Sequence, residues 1–235
     1  MSIVRLLIVG NEVLSGEVAD RNITFLTRRL TELGTRVRGI RIVPDEDDLI
    51  VEAVREGTAP GHPLLVTGGI GPTHDDRTRG AVARALELPL ARHAEAEQRL
   101  RAGYGARLTP AELEMAMLPA GARLAPGPRS GVYGFVVRSV YVFPGVPDLL
   151  ADVFEAVAGD FTGLPEHRIE VATRLKEGDF AVALTAVAAE FPDVAIGSYP
   201  TRDEAGWMVR LILRGGDAER VAAAARRVRE VTHGQ

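Results

Sequence analysis

Three short apolar runs constrain this chain more than any other feature. Residues 3–9, 37–43 and 63–67 are dominated by branched aliphatic side chains, and each runs into a loop opened by glycine or proline (Gly10, Pro44-Asp45, Gly68). Runs of this length and composition predict buried strands. Between the first two lies an apolar 3-4 spacing, Ile23, Leu26, Leu30 and Leu33, which predicts an amphipathic helix over 22–33. Asp20 or Asn22 is placed to cap it and Gly34 to end it. A second helix is predicted over 47–55 and a third over about 76–88. The resulting β-α-β-α-β-α order demands a mostly parallel sheet with helices on both faces. It also carries the loops after the strands to one edge of the sheet, where such folds bind ligands.

The rest of the chain changes character. Residues 94–118 read as helix broken at Gly103, Gly105 and Pro110, with Thr109 capping a helix over 110–117. Short strands are predicted at 123–124, 134–137 and 140–143, a turn at 144–147 and a helix over 148–157. Residues 159–165 have the composition of a linker. Strand 168–173, helix 179–191, strands 194–199 and 206–213 and helix 218–231 then give a βαββα order, most of a ferredoxin-like unit. The expected fold class is therefore α/β, a three-layer, mostly parallel sheet, followed by a small α+β ferredoxin-like domain. The expected boundaries are 1–160 and 161–235.

Composition narrows the chemistry. The 235 residues include no cysteine, which excludes disulfides, thiolate catalysis and Cys-zinc sites. Lys176 is the only lysine, so the large domain can hold neither a P-loop lysine nor a Schiff-base lysine. The net charge of −4 gives no basic field for nucleic acid. The amino terminus shows no signal-peptide pattern and no apolar run nears the roughly 20 residues of a membrane span. A cytoplasmic location is expected.

The chemistry-bearing residues fall in three loops. In Thr67-Gly-Gly-Ile-Gly-Pro-Thr-His-Asp-Asp-Arg-Thr78, Gly68, Gly69 and Gly71 let backbone N–H groups approach an anion. Thr73 and Thr78 add hydroxyls, and the N–H groups of residues 69–71 are expected to hold phosphate. Asp75 and Asp76 add negative charge at the same place, which suits a divalent metal beside phosphate; the alternative is a helix cap. The loop Gly10-Asn-Glu-Val-Leu-Ser-Gly16 supplies Glu12 and Ser15 between two glycines, followed by Asp20 and Asn22. Asp45, after the second strand, either caps the next helix or points into the same cleft. The five histidines (His62, His74, His93, His167, His233) show no metal-ligand spacing and read as surface or loop residues. Arg77 and Arg79 read as solvated helix residues and Trp207 as core.

Together these loops resemble the CinA N-terminal domain family, related to the MoaB and MogA molybdopterin-binding proteins. The match rests on Gly10 to Gly16 with Asp20-Arg-Asn22, on Thr67 to Thr78, on Leu118-Pro-Ala-Gly-Ala122 and on Phe143-Pro-Gly-Val-Pro147. It covers residues 1 to about 160. Ile196-Gly-Ser-Tyr-Pro200 resembles the region that follows this domain in CinA-like proteins, and the nicotinamide-nucleotide amidase domain of full-length CinA proteins is expected to be absent. The resemblance implies hydrolysis of a nucleotide diphosphate of the ADP-ribose or FAD type, or molybdopterin adenylylation; the sequence of residues 130–135 adds a non-catalytic pterin- or nucleotide-binding module as a rival reading. It implies catalytic roles for Asp76 and Asp45. A divalent metal (cobalt, manganese or magnesium) would sit on Asp75 and Asp76. The ligand would touch Gly10, Glu12, Ser15, Gly16, Asp20, Asn22, Thr67, Gly68, Gly69, Gly71, Pro72, Thr73, Asp75, Thr78, Pro144, Gly145 and Pro147. The protein would be a homo-oligomer, dimer or trimer. Two positions depart from the family pattern. Residues 130–135, Ser-Gly-Val-Tyr-Gly-Phe, stand where Gly-Thr-Ala-Pro-Gly-Phe is common, and Leu149 stands where glutamate is usual. Both fall near the expected ligand end and bear on the choice of substrate.

Overall fold

In the computed structural model, which describes residues 2–233 apart from residues 60, 130 and 165, the chain divides into two units, residues 1–163 and 164–235. The first contains β1 (Ser2–Val9), α1 (Asn11–Leu14), α2 (Arg21–Glu32), β2 (Thr35–Val43), α3 (Asp47–Thr58), β3 (Leu64–Thr67) and α4 (Thr78–Ala85). It continues with β4 (Leu90–Arg92), α5 (Ala94–Tyr104), α6 (Pro110–Leu113), β5 (Met117–Pro119), β6 (Arg123–Pro126), β7 (Tyr133–Val137), β8 (Val140–Phe143) and α7 (Pro147–Glu155).

Six of these strands form one sheet in the order β2-β1-β3-β8-β7-β6. The neighbours from β2 to β8 are parallel, and β7 runs antiparallel to both β8 and β6. Strand alternation feeds a core on each face. Leu7, Val9, Leu64, Val66, Val140 and Val142 pack with Ile50 and Val54 of α3 and Val82 of α4. Val4, Leu6, Leu65 and Phe143 pack on the other face with Leu26 and Leu30 of α2 and Leu150 and Phe154 of α7. Each such side chain contributes about 1.5–3 kcal/mol on burial. Helices on both faces make the three layers that the β-α alternation predicts.

Several local expectations are corrected. The helix predicted over 76–88 is shorter: it starts at Thr78, because Asp76 is spent on the preceding loop, and ends before Glu87, which has φ 56°. The helix predicted over 110–117 stops at Leu113; a capping box between Thr109 and Glu112 starts it. Met117 onward instead pairs with Leu90–Arg92 as a small two-stranded sheet, which local propensity did not signal. Of the predicted linker, Ala158–Phe161 is a 3₁₀ turn belonging to the large unit. Phe161 stacks on Phe154 at 5.7 Å, and its carbonyl accepts the Thr35 hydroxyl. Pro165 lies outside the described residues.

The second unit contains β9 (His167–Thr173), α8 (Glu177–Glu190), β10 (Ala195–Asp203), β11 (Gly206–Gly215) and α9 (Ala218–His233). Its antiparallel sheet has the order β10-β11-β9, the βαββα arrangement expected of a ferredoxin-like unit. Val209, Leu211 and Leu213 meet Phe180 and Val187 of α8 and Val221, Ala225 and Val228 of α9. Trp207 is not core. It shares the register of Val209 and Leu211 but sits at the strand end beside the 203–206 turn, 70% exposed.

Candidate functional site

Because β1, β2, β3 and β8 are parallel, the residues after them emerge at one edge. Gly10, Glu12, Asp45, Gly68 to Pro72, Asp75, Asp76, Pro144 and Gly145 line a single cleft of about 490 Å³ there. The chain leaves β1 toward β2 and returns past it to β3, so the cleft lies where the strand order reverses.

The Gly-rich loop is held in shape from within. Gly68 has φ +96°, and a Cβ on it would stand 2.1 Å from the Val9 carbonyl oxygen, so no other residue fits. Asp76 is the organising side chain. Its Oδ1 accepts the Gly71 N–H at 2.6 Å, and its Oδ2 accepts the Thr73 N–H at 2.8 Å and the Thr73 hydroxyl. Thr78 is fully buried; its hydroxyl donates to the Gly68 carbonyl at 2.8 Å, and its N–H to the Gly69 carbonyl. Arg79 is half-buried and donates to the carbonyls of Ile70 and Gly71, the latter at 3.0 Å. Burial lowers its guanidinium pKa, opposed by Tyr133, Asp76 and Glu114. Reading Arg79 as a solvated helix residue is therefore corrected. With these carbonyls turned inward, the Gly69, Ile70 and Gly145 N–H groups make no hydrogen bond among the described residues. The Gly71 N–H, expected to hold phosphate, is committed to Asp76.

The neighbouring loops are tied in. Asp45 does not cap α3; its Oδ2 accepts the Asn11 N–H at 2.8 Å and so joins the β2 end to the β1 end. Asp20 caps α2 through the Ile23 N–H and does not line the cleft. Asn22 is buried, and its Nδ2 donates to the Gly145 carbonyl at 2.7 Å and to the Thr67 hydroxyl at 3.3 Å. Asn22, Thr67 and Thr78 thus fasten loops from behind. Thr73, Ser15, Gly16 and Pro147 also stand outside the cleft lining; the Ser15 hydroxyl turns to the Glu12 carbonyl. Of the histidines, His93 caps α5 by accepting the Ala96 N–H.

Sequence reasoning missed most of one end of the cleft. Tyr104, Met115, Gly131, Val132, Tyr133 and Val146 line it, beside Leu149. Gly131 to Tyr133 lead into β7, Val146 and Leu149 follow β8, Tyr104 ends α5 and Met115 lies between α6 and β5, whereas Glu12, Asp45 and the Gly68–Gly71 loop follow β1, β2 and β3. The departures at residues 130–135 and 149 were the available signal, although Ser130 itself lies outside the described residues. The Tyr133 phenol is pushed up to about 12, chiefly by burial, so it keeps its proton.

Four carboxylates line the cleft: Glu12, Asp45, Asp75 and Asp76. Among the described residues no three acidic or histidine side chains are arranged to hold a metal by themselves. Asp76 keeps one lone pair on Oδ1 beyond its hydrogen bonds, and Asp75 is well exposed. The Thr73 hydroxyl is near enough to lower the Asp75 pKa, although its single proton goes to Asp76. This donor set does not fit a resident, protein-only metal centre. It fits an oxygen-loving ion that arrives with phosphates and takes one or two carboxylates.

An open, mostly parallel sheet with a glycine-lined, carboxylate-rich cleft at its switch point is the arrangement of an α/β domain that takes a small molecule at its strand ends. Residues 5–162 match the family described as "Probable molybdopterin binding domain", and residues 165–235 match "FAD synthase, middle domain". A protein of Archaeoglobus fulgidus is 32% identical over 223 residues, 95% of each chain. A CinA-like protein of Geobacter sp. strain M21 is 39% identical over 70% of this chain and 40% of its own length. The solved structure of the protein CinA from Thermoplasma acidophilum is 30% identical with a TM-score of 0.64, covering 69% of this chain and all of that one. The chain belongs to the molybdopterin-binding domain family and, within it, to the CinA N-terminal group. Among the described residues no helix is long and apolar enough to cross a membrane.

Proposed function

We propose that the chain is a nucleotide pyrophosphatase, hydrolysing a nucleotide diphosphate of the ADP-ribose or FAD type with a divalent ion. The observation that carries this reading is the unequal lining of one cleft. Unpaired backbone N–H groups of Gly69, Ile70 and Gly145 and four carboxylates occupy one end, and an apolar end faces the β7 side. A phosphoanhydride suits the first and a heterocyclic base the second. Preformed N–H donors hold phosphate oxygens at no cost in reorganisation.

Asp75 and the open lone pair of Asp76 would hold a cobalt, manganese or magnesium ion brought in with the phosphates, and such an ion neutralises charge and acidifies water. Asp45 has one oxygen fixed by the Asn11 N–H and the other without a described partner. That free oxygen accepts the proton of the attacking water. The water oxygen bonds to one phosphorus, the bridging P–O bond breaks, and two phosphomonoesters leave. A dimer or trimer of the chain is the assembly we assign to it.

The test is product analysis with three substrate sets: ADP-ribose, FAD, and molybdopterin with ATP. Release of AMP with ribose 5-phosphate, or of AMP with FMN, supports the hydrolase. Adenylylated molybdopterin would instead assign a transferase, and binding without turnover would assign a non-catalytic pterin- or nucleotide-binding module.

A further inference from the structure

One polar atom at the cleft has no structural explanation. Tyr133, the first residue of β7, lines the cleft and is 95% buried (5% exposed), yet its hydroxyl has no hydrogen-bond partner among the described residues. Buried polar groups are almost always paired, and an exception at a ligand cleft points to a partner that the ligand supplies. Arg79, whose charge reaches Tyr133, is already spent on the Ile70 and Gly71 carbonyls. Replacing the tyrosine by phenylalanine would fill the same space and remove the unpaired group, so packing alone does not call for the hydroxyl.

The surroundings specify what the hydroxyl can meet. Tyr104, Met115, Val132 and Leu149 line the cleft with it and carry no charge; the charge that reaches Tyr133 is that of Arg79. A Cβ on Gly131 would stand 3.2 Å from the Tyr104 ring, so the loop packs directly against that ring. A largely apolar, partly aromatic lining takes a neutral planar ring, and a phenol that keeps its proton offers that ring a donor.

We propose that Tyr133 is a specificity-determining residue: its hydroxyl donates a hydrogen bond to an acceptor atom on the neutral heterocyclic base of a nucleoside diphosphate. The proposal rests on the preceding functional reading, in that the phosphates occupy the Gly69–Ile70 end. The ligand class is a base with an in-plane nitrogen or carbonyl acceptor, as in a purine, pterin or flavin. A base-free phosphate ligand gains nothing from Tyr133.

The experiment compares ADP with pyrophosphate, each with magnesium, by calorimetric titration of the wild type and Tyr133→Phe. The expected result is a roughly fivefold weaker Kd for ADP in the variant, the loss of one neutral hydrogen bond. Pyrophosphate should bind the two proteins equally. The ligand-free variant should melt no lower than the wild type, since no pairing is lost. In wild-type protein carrying ¹³Cζ-tyrosine, the Tyr133 resonance should move with ADP and stay with pyrophosphate. Equal ADP affinity in the two proteins, or equal weakening of ADP and pyrophosphate, overturns the assignment and leaves the cleft's function standing. Wild-type protein that binds neither ligand overturns the functional reading itself, and this assignment with it.

Discussion

The two ends of the cleft are built by opposite means. The glycine-rich end is backbone and carboxylate, drawn from four segments that follow the parallel strands β1, β2, β3 and β8. Its loop is braced by its own side chains: Asp76, Thr78 and Arg79 bind loop backbone atoms of residues 68–73. The β7 end is side-chain surface from four separated segments, and its one buried hydroxyl is unpaired. Under the proposed function, anion binding depends on a rigid, preformed backbone shape, and base choice on a few replaceable side chains. Substitutions of the bracing residues at the first end should therefore damage fold and binding together, and those at the second should alter selectivity alone.

The largest effect is expected from Gly68→Ala. The added Cβ meets the Val9 carbonyl, and the backbone must leave φ +96° or push β1 and β3 apart. Stability should fall by about 3 kcal/mol, as for other substitutions at strained positions. Urea unfolding measures it, and an unchanged midpoint would show that the loop is not braced as described.

Asp76→Asn comes next. Asn offers one acceptor where the Gly71 and Thr73 donors need two, so stability should fall by about 2 kcal/mol. Asp75→Asn makes the matched control: an exposed carboxylate with no loop-bracing hydrogen bond should leave the melting temperature unchanged and lower turnover about tenfold or more. Equal melting temperatures for the two variants would erase the distinction between a bracing and an ion-holding carboxylate.

Arg79→Met should follow, costing about 1–2 kcal/mol because the Ile70 and Gly71 carbonyls lose a charged donor. Pyrophosphate binding should weaken with it, and added guanidinium at low concentration should restore part of the affinity. No change in pyrophosphate binding would mean that the loop holds its shape without the arginine.

The smallest effect lies in the second unit. Glu170 accepts from Arg210 and Arg168, which hold its carboxyl down at about 2. A depressed pKa stabilises the fold above the unfolded carboxyl value, near 4.3. That contribution fades as pH falls from there through about 2. The group is solvent-accessible and screened, so the effect is small. Melting curves of the wild type and Glu170→Gln at pH 6 and pH 2.5 should differ slightly at the first and converge at the second. A gap that widens in acid would contradict the sign.

These contrasts also explain what could be read from the sequence. The parallel sheet was legible because each of its strands is a contiguous apolar run and each loop a contiguous motif. Glu12, Asp45, Asp75 and Asp76 could be named because they follow strands that must share an edge. Their separate tasks were not legible: that Asp76 braces Gly71 and Thr73 depends on the fold of six residues, not on their order. The apolar end was hidden for a different reason. Tyr104, Met115 and Tyr133 each look locally like core, and only the tertiary fold gathers segments nearly thirty residues apart around one cavity. The β4-β5 pair and the Trp207 exposure were lost likewise to contacts that local periodicity does not encode.

The central claim is that this cleft breaks a phosphoanhydride only with a divalent ion bound beside the phosphates. Following ADP-ribose by ³¹P NMR with the purified protein, first with manganese-free magnesium buffer and then with excess chelator, tests it most directly. The paired diphosphate resonances should give way to two phosphomonoester signals, AMP and ribose 5-phosphate, and chelator should stop the conversion. Persistent diphosphate signals in the presence of magnesium, cobalt and manganese alike, or conversion that continues in chelator, would contradict it.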